Sequence, residues 1–169
     1  NAGLETARGI IVNENLQTSN PDIYAGGDGV EIKDFVTGEN TLIPLAGPAN
    51  RQGRIIADNI CGIESAYKNS QGTSVLKVFD LTAASVGNNE KQLKSKNIPY
   101  WKTFVFSKDH AGYYPGAVEV LYKLLFSPDG KILGAQGVGL DGVEKRIDVI
   151  SSIMRNGGKI QELLDREVC

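Results

Sequence analysis

Residues 18–29 read Thr-Ser-Asn-Pro-Asp-Ile-Tyr-Ala-Gly-Gly-Asp-Gly. The polar turn Ser19-Asn20-Pro21-Asp22 feeds a short apolar run, Ile23-Tyr24-Ala25, which reads as a strand. That run ends in Gly26, Gly27, the carboxylate of Asp28 and one more glycine. Glycines at a strand end let a bulky ligand approach the backbone, and they tolerate positive φ. From that end Asp28 can accept hydrogen bonds from ligand hydroxyls. The same residues also suit a Gly-rich turn with a solvated aspartate, and spacing alone leaves both readings open.

Three other groups of residues could do chemistry. Gly137-Val138-Gly139-Leu140-Asp141-Gly142 has the G-x-G-x-x-G spacing of a phosphate-cradling turn. It reads as structural here: the run before it belongs to an Asp-Gly hairpin and is therefore antiparallel, whereas the fingerprint needs a parallel βαβ unit. His110, the only histidine, precedes the aromatic pair Tyr113-Tyr114 and Pro115-Gly116. By themselves these suit loop packing and a surface or capping histidine. Cys61 and Cys169, the only cysteines, lack C-x-x-C spacing, which argues against a disulfide scaffold or a zinc site. No metal site is expected.

The elements that must position these groups follow from periodicity and turn chemistry. Gly9–Val12 reads as a strand, and Thr37-Gly38-Glu39-Asn40 as a hairpin turn between Ile32–Val36 and Thr41–Ile43. Pro44-Leu45-Ala46-Gly47-Pro48 opens a helix that runs to about Ile60 and stops at Gly62. Residues 63–73 are polar and small and read as a linker or a domain boundary. Beyond them, Val75–Phe79, Thr82–Val86, Tyr100–Phe106, Val118–Phe126 and Lys131–Gly137 read as strands. Ser127-Pro128-Asp129-Gly130 makes a hairpin signal between the last two. Asn88–Lys96 reads as a short helix capped by Asn88 or Asn89. Gly142–Met154 reads as an amphipathic helix with Val143, Ile147, Ile150 and Met154 on one side, and Ile160–Leu164 as a final short one. Hairpin-linked strands with segregated helices predict an α+β fold whose antiparallel sheet is flanked by helices.

With 169 residues the chain suffices for one domain or two small ones. Its net charge of −2 implies no polyanion, and no basic run suggests nucleic acid. No apolar stretch is long enough to span a bilayer. A reducing cytoplasm is the expected location. The start at Asn1 and the stop at Cys169 read as cuts from something longer.

Pro21-Asp22-Ile23-Tyr24-Ala25-Gly26-Gly27-Asp28 closely resembles the second FAD-binding motif of pyridine nucleotide-disulfide oxidoreductases. Residues 75–90 and 109–117 are most similar to the branch holding coenzyme A-disulfide reductases, NADH oxidases and NADH peroxidases. The helix segment Val143–Val149 is similar to that branch too. Asp109-His110-Ala111-Gly112-Tyr113-Tyr114-Pro115-Gly116 points within it to coenzyme A-disulfide reductase. The resemblance implies that residues 1–68 close an FAD-binding domain and that residues 73–169 form an interface domain that builds a homodimer.

It also implies chemistry. In that family NAD(P)H reduces FAD, which exchanges electrons with a cysteine. Gly27 and Asp28 would meet the ribityl chain, and Pro44, Leu45 and Ala46 the flavin's pyrimidine edge. Tyr113, with Tyr114 behind it, would reach across the dimer toward the partner's coenzyme A or other small disulfide. The redox cysteine and the N-terminal phosphate-binding turn are absent from this chain, so by itself it is expected to be inactive and not to retain FAD. Two alternatives stand beside this: a fragment of an NADH oxidase or peroxidase, and a dimerisation module without cofactor.

Overall fold

The chain divides into two units, Asn1–Gly72 and Thr73–Cys169. The computed structural model describes residues 2–167, so Cys169 lies outside the described residues.

In the first unit, β1 (Ile10–Ile11) pairs in parallel with β2 (Val30–Lys33), which pairs antiparallel with β3 (Asn40–Thr41). The hairpin turn begins earlier than its sequence suggests. The Asp34 carboxylate captures the Val36 and Thr37 amides at 3.0 and 2.7 Å. This pulls Phe35 and Val36 out of the strand and into the turn. Helix α1 (Ala46–Ile60) follows, and Gly62 with φ 78° ends it as expected. Leu16, Val30, Ile32, Ile55 and Tyr67 form the core of this unit.

Two expectations are corrected here. Ile23–Ala25 is not a laddered strand; only Tyr24 forms an isolated bridge, to Gln17. The boundary between the units does fall in the stretch 63–73, between Gly72 and Thr73, but residues 63–72 are packed into the first unit and are not a free linker. Tyr67 is buried, its amide donates to the Glu14 carbonyl at 2.7 Å, and the Ser70 amide donates to the Lys33 carbonyl at 2.9 Å. The polar residues around Tyr67 hide a segment that completes the core.

The second unit is a five-stranded antiparallel sheet built from β4 (Ser74–Val78), β5 (Leu81–Gly87), β6 (Trp101–Lys108), β7 (Glu119–Phe126) and β8 (Ile132–Gly139). The order is β4-β5-β8-β7-β6. The turn before β8 forms as its residues predict, with the Gly130 amide donating to the Ser127 carbonyl at 2.8 Å. Because β8 is antiparallel to both β5 and β7, residues 137–142 do not form a dinucleotide fingerprint.

Helix α2 (Glu90–Ser95) starts at Asn89 with a capping box: Asn89 Oδ1 accepts the Gln92 amide and Gln92 Oε1 accepts the Asn89 amide. Helix α3 (Val143–Arg155) lies over β5 and β8, and α4 (Gln161–Leu164) is a single turn. Val143, Ile147 and Met154 of α3 are buried. The helix therefore spends its apolar stripe on its own sheet. Residues alternate between sheet faces. Leu76, Ala83, Val138, Leu121 and Phe106 accordingly form one register row across all five strands, on the face away from α3. Leu76 is 61% and Phe106 80% exposed.

Candidate functional site

Two sites take shape, one in each unit. In the first, Gly26 runs close against α1: a Cβ there would lie 2.9 Å from Ile56 Cδ1, so a larger residue would have to push the tip of that side chain aside. Gly27 follows with φ 89°, and its amide donates to Oε1 of Gln52 at 2.7 Å. Gln52 belongs to the second turn of α1 and is 1% exposed. That one bond fixes the glycine turn to the helix, and it leaves Asp28 exposed. Gln52 escaped the sequence reading, because a glutamine inside a helix carries no signal for the distant amide it will accept.

The same helix begins beside Pro44 and Leu45. Pro44 and Ala46 are exposed and Leu45 is half-buried. Leu45 is the N-cap, yet no side chain caps the end and the first turn holds no acidic residue. The Ala46 and Gly47 amides precede the first intrahelical bond, and Pro48 has no N–H. They are donors at the positive end of a 15-residue helix. An exposed carboxylate, a glycine turn without side chains and a helix N-terminus with free amides suit a ligand with hydroxyls at one end and negative charge at the other.

In the second unit, β6 and β7 are joined by residues 109–118, which carry the aromatic pair. Tyr113 is 91% and Tyr114 67% exposed. The Tyr114 amide donates to the Ala111 carbonyl at 2.9 Å, which closes the turn. Asp109 at its foot is 7% exposed. Its Oδ1 accepts the Val118 amide at 2.8 Å, and its Oδ2 lies 2.7 Å from His110 Nδ1. The Val118 N–H, helped by His110, holds the Asp109 carboxyl below its ordinary range against the opposing effect of burial. Cys61 is exposed and unpaired just beyond the end of α1. Among the described residues, no group of His, Cys, Asp and Glu is placed to hold a metal ion.

Residues 73–169 match the family described as pyridine nucleotide-disulphide oxidoreductase, dimerisation domain. The chain belongs to the pyridine nucleotide-disulphide oxidoreductases. Among relatives of this family, it is 39% identical over 160 residues to the NADH oxidase of Methanocaldococcus jannaschii, covering 95% of this chain and 36% of that protein. It is 38% identical over 161 residues to the coenzyme A disulfide reductase of Staphylococcus epidermidis, covering 94% of this chain and 36% of the relative. The crystal structure of reduced Bacillus anthracis CoADR-RHD superposes with a TM-score of 0.95 at 54% identity, over 99% of this chain and 31% of that one.

The chain thus spans about a third of the length of the oxidoreductases it matches, and it resembles their C-terminal part. The family is FAD- and NAD(P)H-dependent. The residues of the first unit fit part of such a cofactor: Asp28 suits the ribityl hydroxyls and the start of α1 suits the pyrimidine edge. Neither unit supplies a phosphate-binding turn among the described residues, since residues 137–142 join an antiparallel strand to α3.

Proposed function

We propose that this chain supplies the C-terminal part of the flavin site and the dimer interface of an FAD-dependent NAD(P)H:disulfide oxidoreductase of the coenzyme A-disulfide reductase type. In this reading residues 1–68 belong to the FAD-binding domain and residues 73–169 to the interface domain. FAD supplies two-electron transfer between a nicotinamide and a disulfide.

The chain's own residues bind and orient. Asp28 accepts hydrogen bonds from the ribityl hydroxyls, and Gln52 keeps the glycine turn open for them. The Ala46 and Gly47 amides favour negative charge at the pyrimidine edge. Tyr113 offers a phenol to a thiolate or a leaving sulfur, a donor suited to disulfide exchange. The observation that carries the proposal is the exposed Asp28 carboxylate on a glycine turn that Gln52 ties to α1, a helix whose own start is uncapped.

The name of the M. jannaschii relative favours a second reading, an NADH oxidase. The two differ at sulfur. In the FAD-loaded enzyme, Tyr113→Phe slows reduction of coenzyme A disulfide at least tenfold, and flavin reduction by NAD(P)H continues. Unchanged disulfide turnover in that variant removes the coenzyme A reading. Asp28→Ala lowers FAD retention. The isolated chain keeps no stoichiometric FAD, because each net hydrogen bond is worth only about 1 kcal/mol against the cost of immobilising a large cofactor. A yellow preparation with flavin absorbance overturns this last point.

The partner is a second copy, docked through residues 73–169. The apolar row Leu76–Ala83–Val138–Leu121–Phe106 is the surface offered to it, since so broad an exposed apolar face is uncommon on a monomer. The reducing cytoplasm suits such an enzyme.

A further inference from the structure

We propose that Asp109 and His110 form a proton-transfer pair, in which Nε2 of His110 gives a proton to, or takes one from, a small thiol brought to the Tyr113-Tyr114 turn. The inference rests on reading that turn as a site of sulfur chemistry.

Four contacts converge on Asp109. Its amide donates to the Val118 carbonyl at 3.0 Å, and its Oδ1 accepts the Val118 amide at 2.8 Å, so both feet of the loop are locked together. From α3, Arg146 Nη2 donates to the Asp109 carbonyl at 2.5 Å, while Nη1 of the same guanidinium donates to the Gly142 carbonyl at 3.1 Å. The fourth is His110 Nδ1, 2.7 Å from Oδ2. A buried carboxylate with its other oxygen on a backbone amide is built to stay ionised, and an ionised carboxylate only accepts. Nδ1 therefore carries a proton. In the neutral ring Nε2 is then the lone-pair nitrogen, the opposite of the arrangement favoured by a free imidazole side chain in water.

The ring is also fixed from its other side. His110 and Tyr114 stack edge to face, with centroids 6.0 Å apart at 78°. Charged groups approach the pair from three elements, and Asp141 and Lys145 flank Gly142 beside Asp109. Lys108 ends β6, and its Nζ would lie 3.1 Å from a Cβ placed on Gly112. Glu119 of β7 is the register partner of Lys108, and Arg146 reaches the loop from α3.

The step balances without a further reactant. Cleavage of a disulfide leaves a thiolate. Imidazolium Nε2–H gives it the proton, so an N–H bond breaks and an S–H bond forms. The ring returns to its Nδ1–H form on Asp109 and regains a proton from water. No electrons move in this step.

Because His110 is the only histidine, long-range proton–nitrogen spectra of the full 15N-labelled chain report on it alone. The neutral ring is expected to be the Nδ1–H tautomer; a predominant Nε2–H tautomer overturns the pair, whatever the enzyme does. In the FAD-loaded enzyme, His110→Gln can still donate to Asp109 but cannot relay a proton. Its turnover with coenzyme A disulfide should fall at least tenfold and lose the histidine limb of its pH profile, while Tyr113→Phe also slows. Wild-type turnover and profile in His110→Gln, with Tyr113→Phe slowed, overturn the pair and leave the sulfur site standing. Wild-type behaviour in both variants overturns the pair and the sulfur site together.

Discussion

Gly137 shows what a single hydrogen atom in place of a methyl group can hold together. A Cβ there would lie 2.7 and 2.8 Å from the Tyr122 ring and 2.9 Å from Val143 Cγ1. The glycine lets α3 settle onto β8, so its place in a G-x-G-x-x-G string reflects packing. Gly137→Ala is expected to destabilise the second unit by about 1–3 kcal/mol; an unchanged urea midpoint would refute this. Glu90 is the other residue whose neighbours decide its behaviour. Lys123 Nζ at 2.6 Å, the Tyr100 hydroxyl at 2.7 Å, and Lys102 and Lys94 at 3.1 Å surround its carboxylate. With Lys123 foremost, they hold its pKa far below the usual carboxylate range. A depressed folded value means that the stabilisation is whole above the ordinary carboxylate pKa and fades as pH falls toward the folded value. The gap in urea midpoint between wild type and Glu90→Gln should therefore be widest near neutrality and narrow below about pH 4. A gap that stays constant from pH 7 to pH 2 would refute the network. In the sequence Asp28 was visible because glycines flank it. Glu90, Asp109 and Gln52 were not, because their partners lie far along the chain or depend on how a loop closes.

At the scale of elements, local chemistry was legible wherever it was self-contained. The Asp129-Gly130 turn, the alternation in β5 and the cap of α2 each depend on residues a few positions apart. Asn89→Ala removes the Oδ1 that accepts the Gln92 amide, while the Asn89 amide can still donate to Gln92 Oε1, and should cost about 1 kcal/mol. Thermal unfolding of the full chain checks this, and a loss no larger than that of an exposed loop substitution would contradict it. Segments whose structure depends on distant partners were misread. Ile23–Ala25 has a strand's composition, but β1 gives its ladder to β2, and only the bridge to Gln17 remains. The segment 63–72 is too polar to announce that Tyr67 enters the core. The apolar stripe of α3 was legible, but periodicity cannot say whether a stripe faces its own sheet or another molecule.

For the molecule as a whole, the exposed apolar face lies on the sheet opposite α3, and the dimer prediction belongs there. Leu76→Lys combined with Phe106→Lys places charge at both ends of the apolar row while leaving the α3 side untouched. Self-association should weaken at least tenfold, or ~1.4 kcal/mol, by sedimentation equilibrium. Identical dissociation constants would move the interface elsewhere. The strand order carries one more consequence. β6 is an outer strand, and its run Phe104-Val105-Phe106 is exposed. Backbone amides and carbonyls along that rim can recruit another extended chain, the first step toward fibrils. Lys102 and Lys108 flank the run, but Lys102 is paired with Glu90, so Lys108 is the end charge that opposes in-register stacking of copies. Replacing Lys108 with threonine, which leaves the Glu90 cluster untouched, should shorten the lag before thioflavin fluorescence rises, so that one charge at the rim sets how slowly this sheet can stack.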